Sequence, residues 1–174
     1  MTTGIIRTLS GNLIDPFNMV ASDININDIA HSLSMQCRYN GHVSKFYSVA
    51  EHSVLVSQMV PNEYKLWGLL HDATEAYVGD MVSPVKKRLE SFRTLEDNIH
   101  KVVAERFNLS CNIPELVHTA DKDLLQMELK WLETGCREPL HGITGLEPSA
   151  AIELFMRTYN TLIIDHHSLM DCAA

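Results

Sequence analysis

Leu69-Leu70-His71-Asp72-Ala73-Thr74-Glu75-Ala76 is an apolar helical run interrupted by polar groups, and the rest of the chain reads outward from it. A His-Asp dipeptide alone means little. Inside an apolar helix the pair needs partners, because a buried charge is costly until it is paired or binds a metal. His52 upstream and Asp121 downstream supply such partners. Two histidines and two aspartates form a cage for one divalent ion, and imidazole nitrogen with carboxylate oxygen suits zinc, manganese, iron, cobalt or nickel.

The helix that carries the run is capped by Asn62 and has Leu66, Leu69, Leu70 and Ala73 on its buried side. His71 and Glu75, four residues apart, then share one face, and Gly79 ends the helix. Upstream, Ser48-Val49-Ala50-Glu51 is a capping box that opens the helix of His52, which runs to about Val60 and stops before Pro61. Asn27 or Asp28 caps a first helix through Ile29, Leu33 and Cys37, ended by Gly41. Ile5 to Asp15 reads as a hairpin around the turn residues Ser10-Gly11-Asn12.

Downstream, Pro84 begins a short segment through Leu89. Thr94 and Asp97 open a helix with the stripe Ile99, Val102, Val103 and Phe107. Pro114 is the first residue of a long helix with Leu116, Val117, Ala120, Leu124, Leu125 and Leu129 inward. Asp121 lies along that apolar side, an unusual place for a carboxylate without a partner. The loop from Thr134 to Pro148 leads to a last helix through Ile164, and the tail 168–174 is expected to fray. The expected fold is therefore all-α: one domain over 1–174, a helical bundle over 26–164 and a small N-terminal β-hairpin over 5–15. Three different helices each deliver part of the metal site.

The 174 residues suffice for one domain with a substantial core, and 45% hydrophobic against 21% charged residues is ordinary for a soluble protein. No apolar run approaches the roughly 20 residues of a membrane span, and the N-terminus lacks the apolar stretch of a signal peptide. Cys37, Cys111, Cys136 and Cys172 are scattered without a Cys-x-x-Cys pair, which favours reduced thiols in the cytoplasm. The net charge of −8 and the lack of a basic stripe argue against a nucleic-acid partner. A small anion is still accessible to an acidic chain that reverses its field locally with a metal and a few basic groups.

His52, His71-Asp72 and Asp121 resemble the H…HD…D signature of the HD-domain metal-dependent phosphohydrolases. The resemblance covers roughly residues 26–131 and is closest to the bacterial 5′-deoxynucleotidase branch and its phage and prophage relatives. Ala50-Glu51-His52-Ser53 resembles the first motif of that branch. His71-Asp72-Ala73-Thr74-Glu75-Ala76-Tyr77-Val78-Gly79-Asp80, followed by Ser83-Pro84-Val85-Lys86, resembles the second, and Ala120-Asp121 the third. Compact phage dATP triphosphohydrolases share the same skeleton. By position, the resemblance implies His52, His71, Asp72 and Asp121 as ligands of one divalent ion (Mn, Co, Zn, Fe, Ni or Mg). It implies Glu75 and Asp80 as acid/base residues, Arg38 as a phosphate contact and Tyr39 as a sugar-side contact. In the deoxynucleotidases a tryptophan, thought to crowd the 2′ position, occupies the place of Tyr39. Association into homo-oligomers is implied as well.

The chemistry of the residues agrees. Two neutral imidazoles and two carboxylates leave a divalent ion near neutral, with two octahedral positions free for water and a phosphoryl oxygen. Glu75 is close enough in sequence to reach the same cavity, and Asp80 lies just past the helix end on a loop. Arg38 can grip phosphate bidentately, which lysine cannot. Lys86 adds positive charge, although beside Lys87 and Arg88 it also reads as a solvated basic face. The remaining histidines, including His31, His42 and His100, have no matching partner, and Trp67 and Trp131 read as core. The expected function is a metal-dependent nucleotide phosphohydrolase acting on 5′-deoxynucleoside monophosphates. The alternatives are a deoxynucleoside triphosphate triphosphohydrolase and a non-catalytic nucleotide-binding regulatory protein.

Overall fold

The computed structural model describes residues 4–173, with side chains for residues 4–166. The hairpin forms from β1 (Ile6–Arg7) and β2 (Leu13–Ile14), antiparallel with Ile6 opposite Ile14. The helices follow in order: α1 (Ile26–Met35), α2 (Val49–Met59), α3 (Lys65–Leu70), α4 (Glu75–Val78), α5 (Ser83–Lys86), α6 (Glu90–Phe107), α7 (Glu115–Glu133) and α8 (Pro148–Ala173). The chain is thus all-α apart from the hairpin. Asp28 ties the hairpin to α1, accepting from the Ser10 amide at 2.7 Å and from the Ser10 hydroxyl at 2.7 Å.

α2 is the axis of the molecule, and α1, α3, α7 and α8 pack against it. Residues 49–57 are all buried, the state expected of a helix without a polar face. One core lies between α1, α3, α6, α8 and the hairpin, built on Leu33, Leu69, Leu70, Val103 and Phe155. The other lies between α2, α7 and the 136–143 loop, built on Tyr47, Val56, Val117, Leu124, Trp131 and Ile143. Trp67 and Trp131 are buried as expected, and their indole N–H groups donate to Ser110 Oγ and Glu138 O.

The polar residues of α2 must all find partners inside the protein. Ser48 caps the helix by accepting from the Glu51 amide at 3.1 Å. Glu51 does not close the expected capping box. It reaches across to the loop before α8, accepting from the amides of Thr144, Gly145 and Leu146 and from the Thr144 hydroxyl. A carboxylate that satisfies three loop amides fixes that loop more firmly than it would support its own helix end.

Several boundaries differ from expectation. Asn25, not Asn27 or Asp28, caps α1, because its side chain accepts from the Asn27 amide and frees Asp28 for Ser10. α1 stops at Met35, since the chain turns extended at Gln36 and Cys37 bridges to Ser48. The helix expected from Asn62 to Gly79 is instead a short 3-10 turn, α3, tight turns over residues 71–74 and then α4. α6 begins at Glu90, so Thr94 lies inside it and its hydroxyl bonds back to Glu90 O. Pro114 caps α7 from outside the helix, and Leu116 and Leu129 face solvent. α8 continues beyond Ile164 to Ala173, while the side chains of the tail from Ser168 lie outside the described residues.

Gly68 sets the distance between α2 and α3. A Cβ at this position would lie 2.8 Å from Ser57 Cα, backbone that cannot swing away. Gly68→Ala is therefore expected to push α3 off α2 and cost about 1–3 kcal/mol, the scale of overpacking. A urea unfolding midpoint equal to that of the parent would show that the contact relaxes freely.

Candidate metal centre

α2 and the α3–α4 turn bring His52 and His71 together, with ring centroids 5.3 Å apart and planes tilted by 52°. Ligand atoms of His52, His71 and Asp72 all lie within 4.8 Å of one another. Asp121 comes from α7, with Oδ1 3.1 Å from His52 Nε2. Three of the four residues expected to hold a metal thus form one group, and Asp121 stands beside it against His52, with 39% of its side chain exposed.

The hydrogen bonds of the two imidazoles decide what the centre can accept. His52 Nδ1 lies 2.6 Å from Glu128 Oε1, and His71 Nδ1 lies 2.8 Å from Gly68 O. Both partners are acceptors, so each Nδ1 carries the proton and each neutral ring presents a lone pair at Nε2. Those lone pairs face carboxylates: Asp72 Oδ2 is 3.2 Å from His71 Nε2 and 3.8 Å from His52 Nε2. Both Nε2 atoms are buried without a hydrogen-bond partner. Lone pairs turned on oxygens at this range repel unless a cation lies between them. The donor set therefore fits a divalent ion in the nitrogen–oxygen class.

Without such an ion, protons take its place. Burial opposes charge on His71, but Asp72 and Asp121 outweigh it and push the imidazole up to about 9. Asp72 is held well below the usual carboxylate range, since His71, His52 and Arg38 overcome its burial.

Arg38 reaches the centre by an unexpected route. It opens a 3-10 turn (Arg38–Gly41), and its amide donates to Tyr47 O while the Val49 amide donates to Gln36 O. This stitching lays residues 36–38 along the start of α2. The next two residues are left-handed, Tyr39 at φ 58° and Asn40 at φ 51°, an uncommon conformation outside glycine. Arg38 Nη2 bonds Glu128 at 2.9 Å, Nη1 lies 3.9 Å from Asp72, and Nε is buried without a partner. Nε–H and the Nη1 hydrogens are the donors that Glu128 leaves uncommitted. The Tyr39 hydroxyl is turned inward onto Glu128 Oε2.

Glu75 is 6% exposed, and its Oε2 has no hydrogen-bond partner. The turn before it is tight, with the Ala73 amide donating to Leu70 O and the Glu75 amide to Asp72 O. Three-residue turns set Asp72, not His71, in line with Glu75. Burial, followed by the charges of Asp72 and Asp80, pushes the Glu75 carboxyl up to about 10. Asp80 follows Gly79 (φ 81°) and is anchored by Gln36, whose side chain accepts from the Asp80 amide and donates to Glu75 O. Burial raises Asp80 too, against the pull of Arg38.

Lys86 is drawn out of the basic run. It pairs with Glu96 at 2.7 Å and adds positive charge near Glu75 and Asp72, while Lys87 and Arg88 are exposed. His100 also differs from expectation. It packs by Trp67 (centroids 6.4 Å), and burial pushes it down to about 4 with Asp72 and His71 among its electrostatic neighbours.

Sequence reasoning missed Glu128, which is fully buried beneath the centre. A signal existed: Glu128 follows Asp121 by seven residues and Leu124 by four, on the buried stripe of α7. Burial would raise its carboxyl, but His52, Arg38 and the Tyr39 hydroxyl bring it down to about 2.

Comparison with known proteins places this geometry in a lineage. The profile of a family described as 5′-deoxynucleotidase YfbR-like matches residues 21–133. The uncharacterized protein YfdR of Escherichia coli is 40% identical over 168 residues, which cover 90% of this chain and 94% of that protein. An uncharacterized protein of Rhodobacter capsulatus is 37% identical over 126 residues, covering 67% of this chain and 64% of its own.

The raised Glu75 carboxyl carries a stability cost. Its folded pKa of about 10 exceeds its ordinary 4.5, so the unfolded chain releases the proton first and stability falls as pH rises between those values. Glu75→Gln keeps the shape without the titration. In metal-free protein at about pH 8 its Tm should rise, by about 2–4 °C for each kcal/mol recovered. A Tm equal to or below that of the parent, or an unchanged slope against pH, would contradict this account.

Proposed function

The chain belongs to the YfbR-like 5′-deoxynucleotidase family, and from that premise we propose that it removes the 5′-phosphate of deoxynucleoside monophosphates. The observation that carries this reading is the convergence of two imidazole lone pairs and two carboxylates beside guanidinium donors that Glu128 leaves uncommitted and a protonated carboxyl. That set matches what phosphate-ester hydrolysis needs: a cation site, a phosphate grip and a proton for the leaving oxygen.

His52, His71, Asp72 and Asp121 would hold one divalent ion, which when bound would supply Lewis-acid activation of the phosphoryl group and of a water. Arg38 donates to the phosphate from Nη1 while Glu128 keeps Nη2 in place. Water oxygen bonds to phosphorus as the bond to O5′ breaks. Glu75, protonated in its buried setting, gives its proton to O5′, and the Asp80 carboxylate accepts one from the water. Lys86 offsets charge on the far side of Glu75. Tyr39 stands where the resemblance sets the sugar, an aromatic ring in the place of the family's tryptophan, with its hydroxyl held on Glu128.

His71→Ala and Asp72→Ala are expected to abolish hydrolysis with every metal, and full activity in metal-loaded Asp72→Ala protein would remove the site assignment. Glu75→Ala should still bind metal and slow turnover by ~10²-fold or more. The substrate is read from products. Chelator-stripped protein is reloaded with Mn²⁺, Co²⁺, Zn²⁺ or Mg²⁺ and given the deoxynucleoside and ribonucleoside mono- and triphosphates. Deoxynucleoside plus orthophosphate from monophosphates is the expected result. Triphosphate released from a deoxynucleoside triphosphate would move the chain to triphosphohydrolase chemistry, and nucleotide binding without product would leave a regulatory protein.

A further inference from the structure

Four donors converge on one buried carboxylate. Glu128 Oε1 receives His52 Nδ1–H at 2.6 Å and the Tyr47 hydroxyl at 2.7 Å. Oε2 receives Arg38 Nη2 at 2.9 Å and the Tyr39 hydroxyl at 2.5 Å. Glu128 has no solvent exposure, so no water competes for these oxygens. Each carboxylate oxygen has two lone pairs, and all of them are in use.

We propose that Glu128 is a positioning residue that couples the metal ligand His52 to Arg38 and Tyr39, the side chains facing the substrate. The metal half of this inference rests on the geometry alone, and the substrate half rests on the proposed phosphohydrolase reading.

The coupling follows from what each donor loses without the carboxylate. With its Nδ1 proton accepted by Glu128, the neutral His52 ring carries its lone pair on Nε2, aimed at Asp72 and Asp121. Without that acceptor the proton can move to Nε2, where two carboxylates welcome it, and a metal must then displace it. Arg38 has its Nη2 corner pinned by the same group, which fixes the guanidinium plane and with it the directions of Nε–H and the Nη1 hydrogens. Tyr39 has its hydroxyl held inward, so its ring, in a left-handed stretch of backbone, cannot swing. α7 therefore contributes twice: Asp121 to the ion, and two turns later Glu128 to the parts around it.

Glutamine cannot replace this residue. Its amide nitrogen meets His52 Nδ1–H on one side, which only the other tautomer of the ring would accept, or the Arg38 Nη2 donor on the other side, and the charge that holds both is gone. Aspartate keeps the charge and loses one methylene of reach.

The test is metal affinity of the intact protein, measured by competition of Zn²⁺ and Mn²⁺ with a chromophoric chelator. Glu128→Gln is expected to weaken binding ~10–100-fold, the usual effect of removing a histidine's outer partner, and Glu128→Asp to recover part of the loss. Affinity equal to the parent's, with only a lowered Tm, would make Glu128 a structural residue and overturn the proposal. Should Glu128→Gln fail to fold by circular dichroism, the parent decides: its ¹⁵N-histidine spectrum with Zn²⁺ bound must show the His52 proton on Nδ1. A proton on Nε2, with the metal on Nδ1, overturns it. For the second half, calorimetric titration of metal-loaded protein with inorganic phosphate should be about tenfold weaker in Glu128→Gln, the scale of one hydrogen bond. Unchanged phosphate affinity would remove the coupling to Arg38. None of these readings needs turnover, so a chain that hydrolysed no deoxynucleotide would defeat the proposed function and leave the metal result standing.

Discussion

Two acceptors, the Glu128 carboxylate and the Gly68 carbonyl, take the Nδ1 protons of His52 and His71, and everything else at the centre depends on that. Once those protons are placed, both Nε2 lone pairs must face Asp72 and Asp121. The repulsion this creates is the physical statement that a cation belongs there. The fold supplies the means. Gly68 lets α3 approach α2 closely enough for the rings to meet, and its own carbonyl orients one of them. α7 brings the carboxylate that orients the other.

Burying α2 on every side makes this arrangement rigid and also demanding. A helix within the core has no water to satisfy its polar side chains. Glu51 is answered by three loop amides, His52 by Glu128, and Ser53 and Ser57 by carbonyls of their own helix. These pairings connect distant parts of the chain, since Glu51 holds the loop before α8 and Glu128 lies on α7. Packing and site chemistry are thus the same interactions seen from two sides.

The centre is built against the stability of the metal-free chain. Glu75 is kept protonated by burial and by its acidic neighbours, and Tyr39 and Asn40 occupy left-handed backbone. The left-handed backbone costs about 1–3 kcal/mol per residue where it is not relieved. Both features stand at the candidate centre, Glu75 beside Asp72 and Tyr39 on Glu128, where a proton donor and an oriented ring are useful. An ion that neutralises Asp72 and Asp121 relieves part of the load, which links metal occupancy to folding.

The sequence by itself determined the helical class, the hairpin and the group of His52, His71 and Asp72. Helical periodicity is local, and a charged residue within an apolar stripe, such as Asp121, is visible without coordinates. The capping serine of α2 was legible for the same reason. Tertiary structure alone decided which polar groups answer one another. Ser48 and Glu51 spell a capping box, yet Glu51 serves a loop 93 residues away. Glu128 is a plain helix glutamate in sequence and lies 76 residues from the histidine it orients. Local spacing fixes which face a side chain occupies. What lies across that face depends on how whole helices pack, and only packing shows that one buried carboxylate serves His52, Arg38, Tyr39 and Tyr47 together.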